Sequence, residues 1–270
     1  MPEAAGDADA LLDKARLGDA GAFDALVAEE RPRLLRVVRR FLGHAEDTED
    51  VVQESLLRAY ERVGQVRTPA ALRGWLTKIA VHGALDHLRQ KKRWRADGQV
   101  HVRDHLHRTP EAEAASAARF ASAEHRFDAR EHIAFCFTCV ARSLPPDAQA
   151  VLILRDVLGH TSMEAAKVLE VNEAKLRHTL TDARNAMQHR FDGLCGIVSK
   201  DGVCYQCAGL RNIARPGAEG PPVPDLGGDD APRRDRWRHR LRVVQGAEIH
   251  TGVAQAFHDH VWRAMRDLEA

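Results

Sequence analysis

The chain has 270 residues, a length that suits about two domains, and 44% of them are hydrophobic, so it can bury a core. Charged residues make up 29%, and 40 Lys+Arg nearly cancel 39 Asp+Glu, so a polyanion site must be a local patch. Collagen-like and wholly disordered classes are excluded, no apolar run approaches the ~18 residues of a membrane span, and the acidic start MPEAAGDADA is unlike a secretory signal. Five Cys are too few and too odd in number for a disulfide scaffold, so the expectation is a reducing, cytoplasmic setting with no membrane contact.

Helical periodicity dominates the chain, and an all-α fold is predicted. Leu11, Leu12 and Ala15 start a first helix, Gly18-Asp19 punctuates it, and Phe23, Leu26 and Val27 resume the pattern. After Pro32 a helix carries Leu34, Leu35, Val38, Phe41 and Leu42, with Gly43 as its C-cap. The next runs from about Thr48 to Arg62 on Val52, Leu56, Tyr60 and Val63. A third runs from about Ala70 to near Arg95 on Leu72, Trp75, Leu76, Ile79, Leu85 and Leu88. Residues 96–118 are polar and lack a firm period. From about Phe120 to Arg142 a helix carries IAFCFTCVA, and Ser143-Leu144-Pro145-Pro146-Asp147 reads as a helix start with Ser143 as N-cap. Three helices follow: about 146–157, closed by Gly159; one opened by a Thr161/Glu164 capping box; and one from near Asn172 with Leu176, Leu180, Ala183 and Met187 inward. A short helix, a turn over 170–172 and a longer helix form a helix-turn-helix pattern. Residues 215–232 are Pro/Gly-rich, a flexible connection. The end has a basic start, RRDRWRHRLR, and an amphipathic close on Val253, Phe257, Val261 and Met265.

Two faces carry chemistry. Asp47, Asp50, Glu54 and Glu61 share one side of the 48–62 helix with Gln53 beside them, either a solvated acidic face or a docking face for a basic partner. Residues 66–95 hold Arg67, Arg73, Lys78, Arg89, Lys91, Lys92, Arg93 and Arg95 against a single acid, Asp86. Trp75 and Trp94 interleave with this run; basic charge tracks phosphates and aromatic rings stack on unpaired bases, although Trp75 keeps step with the core residues.

The stretches AFDALVAEERPRLLRVVRRFLG, EDTEDVVQESLLRAYERV and LRGWLTKIAVHGALDHLRQKKR resemble region 2 of the extracytoplasmic-function (ECF) sigma factors of bacterial RNA polymerase. SLPPDAQAVLILRDVLGHTSMEAAKVLEVNEAKLRHTLTDAR resembles their region 4. The resemblance implies region 2 over 1–95, a linker over 96–130, region 4 over 131–192 and a cysteine-containing, helical C-terminal extension over 193–270. It implies that Asp47, Asp50, Gln53 and Glu54 dock on the β′ coiled coil of core polymerase, with the β flap as a further contact. Residues 65–95 match the part that melts and captures the −10 element, and Arg67, Lys78, His82, Arg89, Lys91, Lys92 and Arg93 are its candidates. His82 stands where the family commonly carries Asn. On the recognition helix, Lys175, Arg177, His178, Thr181 and Arg184 match positions that read or clamp the −35 element, and Thr179 and Asp182 replace a frequent Arg.

The cysteines fall in two places. Cys136 and Cys139 form one C-x-x-C, and Cys195, Cys204 and Cys207 follow the recognition helix, the last two forming a second. Two such pairs suggest a tetrathiolate zinc (Zn) site on Cys136, Cys139, Cys204 and Cys207 with Cys195 as a spare thiol; the competing reading is small hydrophobes in an apolar helix. The wider pattern resembles sigma factors with a cysteine-bearing C-terminal extension. His101, His105, His107 and the His258-Asp259-His260 run could bind a metal, but singly such residues are more often on the surface. The function expected is a sigma factor, not an enzyme, that binds core RNA polymerase and promoter DNA, needs no cofactor beyond a structural or regulatory zinc, and has an anti-sigma factor as a further candidate partner. The alternatives are a helix-turn-helix regulator with metal- or redox-sensing cysteines, which leaves 10–95 unexplained, and a C-x-x-C thiol oxidoreductase, which belongs to an α/β context.

Overall fold

The computed structural model describes residues 3–90, 126–194 and 232–247, and every regular element among them is helical. The first unit comprises α1 (Glu3–Arg16), α2 (Ala20–Val27), α3 (Arg31–Leu42), α4 (Ala45–Glu61), a 3-10 turn (Val63–Gln65) and α5 (Pro69–Gln90). Its boundaries follow local chemistry. Gly18 takes φ +92°, and Asp19 then caps α2, its Oδ1 accepting from the Ala22 N–H at 3.0 Å. Gly43 takes φ +75° and closes α3 by donating to the Arg39 carbonyl, as its sequence position predicts. Helix α4 begins three residues earlier than the predicted Thr48. α3, α4 and α5 pack on one another through Leu34, Val38, Phe41, Val51, Val52, Leu76, Ala80 and Ala84, all buried.

Gly83 sits at the contact of α5 with α4: a Cβ there would lie 2.9 Å from Ser55 Oγ and 3.4 Å from Val51 Cγ1, whereas one on Gly74 would meet nothing within 4 Å. Gly74→Ala should therefore stabilise by about 0.5–1 kcal/mol through helix propensity. Gly83→Ala should destabilise by about 1–2 kcal/mol, overpacking outweighing that gain. Opposite shifts of the midpoint in urea unfolding would check the pair.

The second unit comprises α6 (Arg126–Ala141), α7 (Pro146–Leu152), which continues as a π-wound turn over Ile153–Val157, α8 (Ser162–Leu169) and α9 (Glu173–Leu194). The predicted N-cap at Ser143 is displaced: Pro145 holds the cap position of α7, and the Ser143 hydroxyl instead donates to the Val140 carbonyl at 2.5 Å, closing α6. The α8 capping box forms as predicted, with Thr161 Oγ1 accepting from the Glu164 N–H at 3.2 Å and Glu164 Oε2 accepting from the Thr161 N–H at 2.7 Å. Asn172 caps α9 by accepting from the Lys175 N–H at 2.8 Å. Leu176, Leu180, Ala183 and Met187 all face inward and are buried.

The two units share one hydrophobic core. The junction is chemically specific, because the end of α3 leaves backbone carbonyls without helical partners. Three buried polar side chains of the second unit supply donors: Thr138 Oγ1 to the Arg40 carbonyl (3.4 Å), Gln149 Nε2 to that of Phe41 (3.0 Å) and Arg142 Nη1 to that of Leu42 (3.3 Å). A final helix, α10 (Arg233–Gly246), covers the basic run near the C-terminus. It is a packed element: Trp237, Arg240 and Val244 are buried, with the Trp237 ring centroid 5.7 Å from that of Phe137 and the Arg240 guanidinium carbon 3.7 Å from the Phe191 ring centroid.

Candidate functional site

Helix α4 turns Val51, Val52, Ser55 and Ala59 inward, which leaves Asp50, Gln53, Glu54, Leu57 and Glu61 exposed on the other side. Glu54 holds Arg58 at 2.6 Å, and Leu57 is 59% exposed in the middle of this charged surface. Asp47 departs from the predicted acidic face. It is buried, 3.6 Å from His87 Nε2 on α5 and 3.9 Å from His44 Nδ1, because the first turn of α4 lies against α5.

On α5, Arg67 just ahead of the helix is exposed, and its carbonyl accepts from Arg16 Nη2 at 3.1 Å. Arg33 of α3 and Arg73 of α5 both reach Glu30, at 2.5 and 2.9 Å. Burial pushes the Glu30 carboxyl up, but its bonds to the two guanidiniums outweigh this and hold it below the ordinary carboxylate value. Trp75 is half-buried against the core.

Three predicted strand-binding groups of α5 are engaged by the second unit. Lys78 Nζ donates to Glu170 Oε1 at 2.6 Å, His82 Nε2 lies 3.0 Å from the Val168 carbonyl, and Arg89 Nη2 donates to Asp147 Oδ1 at 2.8 Å while its Nη1 reaches Asp86 at 3.0 Å. Lys78's hydrogen bond and charge lower the Glu170 carboxyl from its ordinary value. Glu170 itself takes φ +56° at the end of α8, a left-handed position that normally favours Gly or Asn. Lys91, Lys92 and Arg93 lie outside the described residues.

The outer face of α9 presents Lys175, Arg177, His178 and Thr181 to solvent. Two acids temper it: Glu173 lies 3.5 Å from Arg177 Nη1, and Asp182 lies 3.0 Å from His178 Nδ1. Arg184 departs from the predicted reading set. Its guanidinium grips Asp156 of the π turn with two bonds, Nε to Oδ2 at 2.8 Å and Nη2 to Oδ1 at 2.5 Å. The bond to Asp156 raises its pKa against the opposing effect of burial.

Cys139 is buried and Cys136 is half-buried against the core. Cys195, Cys204 and Cys207 lie outside the described residues, as do Val253, Phe257, Val261 and Met265. Among the described residues no group of three or more His, Cys, Asp or Glu is placed to hold a metal ion, and no helix is long and apolar enough to cross a membrane. The residues that sequence patterning missed are Glu170, Asp147 and Asp156. Asp147 and Glu170 are exposed acids that patterning placed at a helix start and in the 170–172 turn, with no signal of a partner on α5; the nearest signal is the absence of Gly or Asn after Leu169, where a left-handed helix end forms.

Two stretches of the chain match known families. A family model described as Sigma-70 region 2 matches residues 26–94, and one described as Sigma-70, region 4 matches residues 134–187. The chain is 28% identical over 184 residues to an RNA polymerase sigma-H factor of Pseudomonas aeruginosa, covering 68% of this chain and 93% of that protein. It is 28% identical over 167 residues to the ECF RNA polymerase sigma factor SigM of Mycobacterium tuberculosis (62% and 76%), and 26% identical over 184 residues to an ECF RNA polymerase sigma-E factor of Salmonella typhimurium (68% and 94%). With the two matched regions in this order on an all-helical frame, the chain belongs to the sigma-70 family as an ECF-type sigma factor, a non-enzymatic protein that directs promoter-specific transcription.

Proposed function

We propose that three separate surfaces divide the work of promoter recruitment. Asp50, Gln53 and Glu54 of α4, around Leu57, dock on core RNA polymerase at its β′ coiled coil. Helix α5 with Lys91, Lys92 and Arg93 captures the melted −10 strand. Lys175, Arg177, His178 and Thr181 of α9 read the −35 duplex, with region 4 held at the β flap. The partners of the family are core polymerase and promoter DNA; this division assigns each a face.

The observation that carries the reading is the pairing, in one chain, of an exposed helix-turn-helix recognition face with a separate basic helix. The first suits the major groove of a duplex and the second suits single strand. A rim of exposed acids on a third helix supplies a docking surface that neither DNA site needs. Transcription with purified core polymerase on a pooled genomic promoter library tests the assignment: transcripts should start at a shared −35/−10 pattern and vanish without the protein.

The two DNA sites should fail differently. Arg177→Ala should cost ~1–3 kcal/mol at one −35 base position if the guanidinium reads a guanine. Replacing Lys91, Lys92 and Arg93 by Gln should weaken promoter opening on every sequence and flatten its salt dependence, each lost phosphate contact removing about one unit of slope. Footprinting across salt and −35 base substitutions separates the two; uniform loss from both variants would refute base reading by Arg177.

A further inference from the structure

We infer that the chain in this arrangement is self-closed: region 4 lies on the −10 face of α5 with two carboxylates in the place of DNA phosphates, and helix α10 braces it there. The inference rests on the assignment of α5 to the −10 strand.

The first observation is substitution of charge. Lys78 and Arg89, about 16 Å apart along α5 at 1.5 Å per residue, are met by Glu170 and Asp147, oxygens at 2.6 and 2.8 Å. Between them His82 meets the Val168 carbonyl. An anionic strand laid along α5 would have to displace all three. Glu170 reaches Lys78 from a left-handed backbone conformation costly for a residue with a side chain.

The second observation is that the closure does not rest on those exposed ion pairs alone, each of which contributes at most about 1 kcal/mol. The α3 carbonyls capped by Thr138, Gln149 and Arg142 tie the units together in a buried setting. Helix α10 adds a fastening. Trp237 packs beside Phe137 of α6, Arg236 lies 3.4 Å from Asp192 of α9, and Gln245 Nε2 donates to the Asp156 carbonyl at 2.6 Å, so α10 is seated on region 4. Its C-terminal end then crosses to region 2, where Arg40 of α3 donates to the Ala247 carbonyl. Arg33, Arg36, Arg39 and Arg40 line a cleft of about 370 Å³ together with Gln245, Gly246 and Ala247 of that end. A helix C-terminus carries partial negative charge, so an arginine-lined wall is a favourable seat for it.

The third observation is which surfaces stay open. The recognition face of α9 and the Asp50/Gln53/Glu54 face of α4 are both exposed in the closed chain. Closure therefore withholds the −10 strand site alone, and polymerase docking and −35 contact remain available. A strand on α5 and a duplex element elsewhere on the same promoter cannot be held together by regions packed face to face, so release of region 4 must precede or accompany −10 capture.

The test uses the full chain, a fluorescein-labelled single-stranded DNA 12-mer of degenerate sequence, and small-angle X-ray scattering. Asp147→Asn with Glu170→Gln should raise strand affinity about fivefold or more. Asp24→Asn with Glu29→Gln, an equal charge change at exposed positions of α2 and its following turn, should raise it less than twofold. Trp237→Ala should raise affinity comparably to the first pair and enlarge the radius of gyration, and Gln245→Ala, a milder lesion at an exposed residue, should shift both in the same direction. An equal gain from the charge-matched control, or wild-type affinity and radius in both α10 variants, would overturn the inference. Strand binding that persists after Lys91, Lys92 and Arg93 are all replaced by Gln would instead refute the −10 assignment; the brace is then judged by scattering alone.

Discussion

Replacing Asp50 and Glu54 together by Lys is expected to abolish binding to core RNA polymerase while leaving the fold intact. Both side chains are exposed, and Glu54 pairs with Arg58 one turn away. Such a surface pair contributes about 0.3–0.5 kcal/mol, so unfolding should barely shift. At a docking face the same reversal places like charges together and costs several kcal/mol, on the order of a hundredfold or more in Kd. Competition for labelled core polymerase, read beside urea unfolding, checks both halves. Asp47→Ala should behave in the opposite way. Its carboxylate is buried against His44 and His87, so the loss should appear as reduced stability with docking preserved in the folded fraction. Unchanged polymerase affinity in the Asp50/Glu54 variant would defeat the docking assignment.

Arg184→Ala is expected to destabilise region 4 by about 2–3 kcal/mol rather than to act mainly on DNA. The Asp156 side chain is 4% exposed and loses both of its guanidinium bonds. Breaking a fully buried pair costs roughly 3–5 kcal/mol, and the figure is reduced here because Arg184 itself is 40% exposed and partly hydrated. The carboxylate lies on the π-wound turn whose backbone also accepts from Gln245, so its loss should loosen α10 as well. Thermal unfolding should fall by several degrees, and −35 duplex affinity measured well below that transition should stay within about twofold. Arg177→Ala should show the reverse pattern, normal stability with weakened duplex binding, because its side chain is exposed and pairs with the exposed Glu173 one turn back. Equal losses of duplex affinity in the two variants would return Arg184 to the DNA face.

Local chemistry was legible along the chain. The Gly43 cap, the Thr161/Glu164 box, the turn over 170–172 and the inward face of α9 each depend on residues within four positions of one another, and each formed as patterning predicts. The exposed acids of α4 were legible for the same reason: a period of 3.6 residues separates an apolar stripe from its opposite face. Periodicity says which side of a helix is covered, and it does not say by what. The partners of Lys78, His82 and Arg89 lie 92, 86 and 58 residues away, and that of Arg184 lies 28 residues back across the helix-turn-helix. Such pairings follow from how one helix bundle seats on another. Only the tertiary structure could bring Asp47 against His44 and His87 and Arg184 against Asp156, or turn a basic run into a packed helix whose Trp237, Arg240 and Val244 are buried. The reason is that a charge's environment is set by whatever element covers it, whereas its place on the helix is set by its neighbours in sequence.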